Sequence, residues 1–279
     1  MQTDGYSHVR VVTPTLGESP FLAQTVDSIA KVAPDCLHVM AAPALKVDEL
    51  QRRFPRVLVV EDRGRAGGMY GAINAGLRAA GRSFEVWTYL NDDDLLRPGF
   101  AQICRKTGLR EVRYGDVDLI DAEGNHLSWI TRWRRKQLPR GILAARRSPL
   151  NQQGTAFGRD VFVELDGFDE RLRYASDFDF FSRCARGSIP LIPEPFHVAS
   201  FRCHGGQLSL ESTHFDREIA DIRQQYFSDV KTWEVRAATA AFLAQNFPVY
   251  AGRLWARTPL SGRDSMRSTG SVDRRNKQP

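Results

Sequence analysis

The sequence predicts an α/β fold: a mostly parallel, Rossmann-like sheet with helices on both faces, followed by a helical C-terminal extension. β-Branched and apolar runs alternate with segments of helical periodicity from Val9 to Leu90, the pattern of strand–helix–strand units whose right-handed crossovers leave the strands parallel. The polar clusters Thr13 to Glu18, Glu61 to Arg65 and Asn91 to Asp94 each follow a strand. They fall where open α/β sheets bind ligands, at the carboxyl ends of the strands.

The elements follow in order. Val9 to Thr13 is a β-branched strand. Ser19-Pro20 then starts a helix, with Phe21, Leu22, Val26, Ile29 and Ala33 at helical spacing until Pro34-Asp35 breaks it. Leu37 to Ala41 reads as the second strand, Val47 to Phe54 as a short helix, and Val57 to Val60 as the third strand. Tyr70 to Ala80 is a helix and Val86 to Leu90 the fourth strand. Tyr114 to Ile120 with the turn residues Asp121 to Asn125 suggests added antiparallel pieces. Thr213 to Asn246 has a helical pattern that Phe247-Pro248 ends, and the chain from Ser261 onward, rich in Ser, Gly and Arg, has the composition of a disordered tail.

Bulk properties narrow the function classes. The chain of 279 residues, 42% hydrophobic, is long enough for one large domain. No stretch approaches the roughly 20 apolar residues of a membrane span, and the N-terminus lacks the layout of a signal peptide, so a cytoplasmic location is expected. Four scattered cysteines suggest neither a disulfide framework nor a zinc knuckle. The net charge of +6 is local: Trp129 to Arg147 holds seven basic and no acidic residues, and Ser261 to Pro279 five basic against two acidic. One basic patch and one basic tail on an acidic body point to anionic ligands or a membrane surface, not to nucleic acid.

Three groups carry candidate chemistry. Asp92-Asp93-Asp94 places three carboxylates directly after an apolar strand, where they repel one another without a counter-cation. Mg²⁺ or Mn²⁺ bound through one or two carboxylates plus substrate phosphates fits the cluster; a helix cap before Arg97-Pro98 fits it as well. Asp177 and Asp179 stand among aromatic residues at a helix start, where desolvation raises proton affinity and suits a general base; either alone also fits a helix cap. His204 lies on the glycine-rich run Cys203 to Gly206, within reach of a metal or phosphate, although a lone histidine is more often structural.

Taken together, Val12-Thr13-Pro14-Thr15, Gly68 to Gly76, Leu90 to Asp94, Tyr114 to Val117, Gln153 to Phe157, Gly167 to Glu170 and Ser176 to Phe181 resemble, in order and spacing, the family 2 glycosyltransferases of the GT-A fold. The resemblance runs from about Val9 to Leu208. It implies a glycosyltransferase domain over 1–208, a helical extension over 209–260 and a disordered tail over 261–279. It further implies an inverting transfer from a nucleotide-diphosphate sugar to a glycan, lipid-linked or small-molecule acceptor. By that resemblance, Asp177 is the catalytic base, and Asp94 with His204 holds the divalent metal, Mn²⁺ or Mg²⁺. Thr13, Pro14, Thr15, Asp62, Arg65, Asn74, Asp92, Asp93 and Gln153 would bind the nucleotide-sugar.

Two positions depart from the family pattern. The second strand runs into Ala41-Ala42-Pro43 where an acidic residue commonly reads the base, and Gly71 replaces a common aspartate. Asp62 or Arg63 on the neighbouring loop stands as a substitute for the first; a plain solvated turn explains Glu61 to Gly64 as well. The segment 129–147 admits three roles: an anionic or lipid-diphosphate acceptor site, peripheral contact with an acidic membrane leaflet, or a solvated loop whose tryptophans pack on the core. Two other functions compete. A nucleotidyltransferase shares the sheet and carboxylates, but Pro14 to Glu18 lacks the basic residue of its phosphate loop. A non-catalytic nucleotide-binding module is the other, against which the presence of both Asp94 and Asp177 argues.

Overall fold

A computed structural model describes residues 5–62, 68–81, 83–135, 138–145, 149–204 and 212–255. The first half alternates as the sequence predicts: β1 (Val9–Pro14), α1 (Leu22–Val32), β2 (Leu37–Ala42), α2 (Ala44–Arg53), β3 (Leu58–Glu61), α3 (Gly68–Ala79) and β4 (Val86–Tyr89). Strands β3, β2, β1 and β4 lie side by side, all parallel, with Val12 opposite both Val39 and Tyr89.

The second half adds β5 (Leu95–Leu96), α4 (Gly99–Cys104), β6 (Val112–Ile120), β7 (His126–Trp129), α5 (Arg140–Ala145), β8 (Thr155–Gly158), α6 (Arg159–Leu165), α7 (Ser176–Arg186) and β9 (Leu191–Arg202). β8 joins β4 antiparallel, β6 joins β8 antiparallel, and β9 runs parallel to β6, giving the order β3-β2-β1-β4-β8-β6-β9-β5 with β7 on β6. The sheet is mixed, with its parallel part at the N-terminal side.

Strand alternation sorts the side chains onto two faces. Val12, Trp87 and Tyr89 pack with Ile73, Phe157, Val161 and Phe180, under α3, α6 and α7. Val9, Val11 and Val86 face the opposite way, against Ile29, Phe100 and Ile103 of α1 and α4. Helix α3 lies close on β1: a Cβ at Gly76 would stand 2.7 Å from Val12 Cγ1, so only glycine fits there.

The C-terminal helices are α8 (Ser212–Phe227), α9 (Thr232–Gln245) and α10 (Phe247–Trp255). Ile219 and Ile222 of α8 pack on Phe178 of α7, while Ala238 and Phe242 of α9 pack on Trp133 and Ile142. The single helix expected over Thr213 to Asn246 is two, and Phe247-Pro248 opens a third helix instead of ending one. Proline is tolerated there because the first turn of a helix has no use for its missing N–H. The boundary at 208/209 and the tail 261–279 lie outside the described residues. No described helix is long and apolar enough to cross a membrane.

Candidate active site

The carboxyl ends of β1 and β4 meet at the acidic triplet. Thr15 Oγ1 donates to Asp92 Oδ2 at 2.5 Å and accepts the Gly17 amide, while Ser19 Oγ donates to the Asp92 carbonyl. These bonds tie the loop after β1 to the loop after β4. Neither acidic group supplies an N-cap residue: that of α4 is Pro98 and that of α7 is Ala175, both without a side-chain cap.

Asp94 is fully buried. Its Oδ1 accepts the Arg202 amide at 3.0 Å, and Gln153 approaches the carboxyl without closing onto Oδ2, which is buried and has no hydrogen-bond partner. Burial first, and then the Asp93 charge, push its proton affinity well up. A buried carboxyl oxygen with an unfilled acceptor site, next to a second carboxylate, fits a divalent cation. Asn91 Oδ1, also buried and unpartnered, is a second such oxygen in the same loop. Among the described residues no group of three or more His, Cys, Asp and Glu side chains could hold a metal ion. The chemistry present suits an ion whose shell is completed by diphosphate oxygens.

Arg202, the last residue of β9, is the cation that the sequence does not advertise. It is fully buried and its guanidinium lies 4.5 Å from the Phe21 ring centroid. It donates to the carbonyls of Asp93, Asp121 and Ala122 and to Gln24 Oε1, at 2.7 to 3.2 Å. It thus fixes the backbone that carries the triplet, leaving Asp94 Oδ2 open.

Asp177 lies in the first turn of α7. Its Oδ1 accepts the Phe178 amide at 2.7 Å and the hydroxyl of Tyr70, from α3, at 3.4 Å. Burial raises its pKa to about 6, against the opposing effect of those two donors. Tyr89, at the end of β4, is held protonated by burial, and among its neighbours feels both the Asp177 and the Asp94 charge. Tyr70, which bonds Asp177, and Tyr89, which leads into the triplet, both pack on the Phe168 ring, at 5.5 and 5.4 Å, so the Asp177 end of α7 and the strand that carries the triplet meet at one aromatic cluster.

The loop before α7 is held from outside the strand–helix core. Glu218 of α8 accepts the backbone amides of Arg173, Tyr174 and Ala175, all at 2.8 to 2.9 Å. Asp179 is engaged elsewhere, in an ion pair with Arg183 at 2.7 Å.

Several expected ligand residues are placed otherwise. Thr13 is fully buried and its hydroxyl bonds His38 Nε2 at 2.9 Å, so it underlies the crevice; burial lowers the His38 pKa to about 4 and keeps that ring neutral. Pro14 is likewise buried, at the end of β1. Asn74 is occupied by the Phe168 backbone on both sides and by Glu170 Oε1, beside Gly167, where φ is +74° and a Cβ would stand 2.5 Å from Asn74 Oδ1. His204 points Nε2 at Asp93 Oδ2, 2.9 Å away, rather than at Asp94. Asp62 lines a cavity of about 450 Å³ with Glu61, Gly71, Arg78 and Glu170, which none of Asp92, Asp93, Asp94 and Asp177 lines. Gly71 lets Glu170 lie against α3 there: a Cβ would meet Glu170 Oε2 at 3.4 Å. Arg65 lies outside the described residues.

The segment 129–147 is less open than its composition suggests. Trp133, Ile142 and Leu143 are buried, Arg132 and Arg134 pair with Asp116, and Arg140 with Asp229. Trp129 packs edge-on to His197 at 4.9 Å. The apolar residues needed for a membrane contact by this segment are thus largely core.

No family model matches the chain, and no curated protein matches it in sequence. Solved structures do match in shape. Staphylococcus aureus TarS 1–349 superposes with a TM-score of 0.54 at 14% identity, over 86% of this chain and 72% of that one. The mannosyltransferase PcManGT from Pyrobaculum calidifontis, in complex with GDP-Man and Mn²⁺, superposes with a TM-score of 0.52 at 18% identity, over 95% and 79%. The chain has the GT-A fold. TarS 1–349 has also been solved with UDP, and superposes at 0.53. The longer TarS structure is covered over 43% of its length. At these identities the GT-A likeness concerns architecture; the chemistry rests on the residues described above.

Proposed function

We propose that this GT-A chain is an inverting, metal-dependent glycosyltransferase that moves a sugar from a nucleotide-diphosphate donor to a hydroxyl acceptor. The observation that carries the proposal is that Asp177, a carboxyl bonded by Tyr70, and Asp94, a buried carboxyl with an unfilled oxygen, are linked through one aromatic cluster of Tyr70, Phe168 and Tyr89. The UDP bound to TarS and the GDP-Man and Mn²⁺ bound to PcManGT support a donor and a cation of this class.

In the proposed reaction the acceptor oxygen attacks the anomeric carbon as the bond to the diphosphate oxygen breaks, with inversion. Asp177 takes the acceptor proton; a pKa near 6 leaves it ionised at neutral pH yet more basic than a solvated aspartate. Tyr70 and the Phe178 amide hold Oδ1 and so orient the carboxyl. Glu218 fixes the loop behind it. A divalent cation, when bound, would neutralise charge on the departing diphosphate. Asp94 would be its protein ligand, and His204 would act through Asp93. Thr15 and Asp92 join the two loops that face the donor.

The pH profile tests the base. Nucleoside-diphosphate release is expected to fall about tenfold per pH unit below pH 6, the limb of a carboxyl that must be ionised. An acid limb near pH 4 would assign the proton transfer to an ordinary solvated carboxylate, not to Asp177.

A further inference from the structure

Helix α9 is apolar on both sides. Its inner face, Ala238 and Phe242, packs on Trp133 and Ile142. Its outer face carries Trp233, Ala237, Ala240, Leu243, Ala244 and, at the start of α10, Phe247, all exposed and recurring at the three- and four-residue steps of one helical stripe. Trp233, Leu243 and Phe247 leave 66%, 45% and 68% of their surface open. Arg236 is the one charge on the stripe. A helix ordinarily turns polar side chains to water, and an apolar outer face is the mark of a surface that is covered in use.

The charges around the stripe select what covers it. The basic segment 129–147 runs along α9: the Arg134 amide donates to Gln245 Oε1, and Asn246 bonds both the amide and the carbonyl of Arg132. Arg135 is exposed at that end, beside the Arg134–Asp116 ion pair, and Lys231 is exposed at the other. A second copy docked on the stripe would set these cations against their own kind, whichever way the two helices ran. An anionic lipid surface neutralises them and takes the Trp and Phe rings at its interface.

We infer that the outer face of α9 and the start of α10, edged by Lys231 and Arg135, is a docking surface for an anionic membrane leaflet. The inference is independent of the transferase activity.

Vesicle flotation of the full chain tests it, using phosphatidylcholine alone and phosphatidylcholine mixed with phosphatidylglycerol. The protein is expected to float with the mixed vesicles and not with the neutral ones. The triple variant Trp233→Ser, Leu243→Ser, Phe247→Ser is expected to lower partitioning by more than about tenfold. Its unfolding midpoint should be unchanged, because all three side chains are exposed. Trp233→Phe keeps the apolar face and is expected to float normally while losing most of the fluorescence quenching by bromine-labelled lipid. Absence of flotation, equal flotation with neutral vesicles, or flotation indifferent to the triple substitution would each overturn the inference. So would a solution dimer that the triple substitution dissolves, which would give the stripe to a second copy.

Discussion

Asp177→Asn is expected to reduce transfer by about 10²–10⁴-fold, the contribution of a positioned general base, with nucleotide-diphosphate affinity retained. The amide keeps a bond to the Phe178 N–H and leaves Asp94 and Gln153 untouched, so the loss belongs in kcat. The same variant carries a stability signature. The folded pKa near 6 exceeds the value of roughly 3.9 for an unfolded aspartate. The folded state therefore binds the proton more tightly, and ionisation destabilises it. That penalty is absent below pH 4, grows between pH 4 and 6, and reaches at most about 3 kcal/mol above that window. Asp177→Asn removes it, so the variant should melt higher than wild type at pH 7.5 and equally at pH 4. Thermal unfolding at the two pH values reads this directly. An inactive variant that melts lower at pH 7.5 would point to a structural role for Asp177.

Arg202→Met is expected to destabilise the protein by about 3–5 kcal/mol, because the carbonyls of Asp93, Asp121 and Ala122 and Gln24 Oε1 lose their donor at once inside the fold. Arg202→Lys should recover only a minor part: one ammonium cannot span acceptors arranged for a planar fork. Urea unfolding measures both, with the midpoint shifting and the slope unchanged. A loss below about 1 kcal/mol would show that water replaces the guanidinium and that the triplet backbone does not depend on it.

The residues that could be read from the sequence and those that could not differ in where their partners lie. The parallel strands β1 to β4 and the triplet after β4 were legible because strand alternation and the carboxyl-end rule are local signals. The position of Asp177 at a helix start was legible from the apolar, aromatic run that follows it. β9 was not: Pro193 and Pro195 interrupt its strand pattern, and its partner β6 lies far upstream. Arg202 and Glu218 were missed for the same reason. Arg202 acts on residues 80 to 178 positions away, Glu218 on a loop more than 40 positions earlier, and neither has a motif around it. Thr13, expected at the nucleotide-sugar from its place in the run after Val12, bonds the buried His38 of the neighbouring strand through its hydroxyl, a partner that no local signal names.

The most direct measurement for the account as a whole is titration of the full chain with UDP, GDP, dTDP and CDP, each with and without Mn²⁺, repeated with Asp94→Ala. The account predicts that one nucleotide binds, only with the metal, and that Asp94→Ala abolishes this metal-dependent binding without unfolding the protein. Failure of every nucleotide to bind, or metal-dependent binding that survives in Asp94→Ala, would contradict it: the first would leave a GT-A fold without a donor site, the second a site built on other ligands.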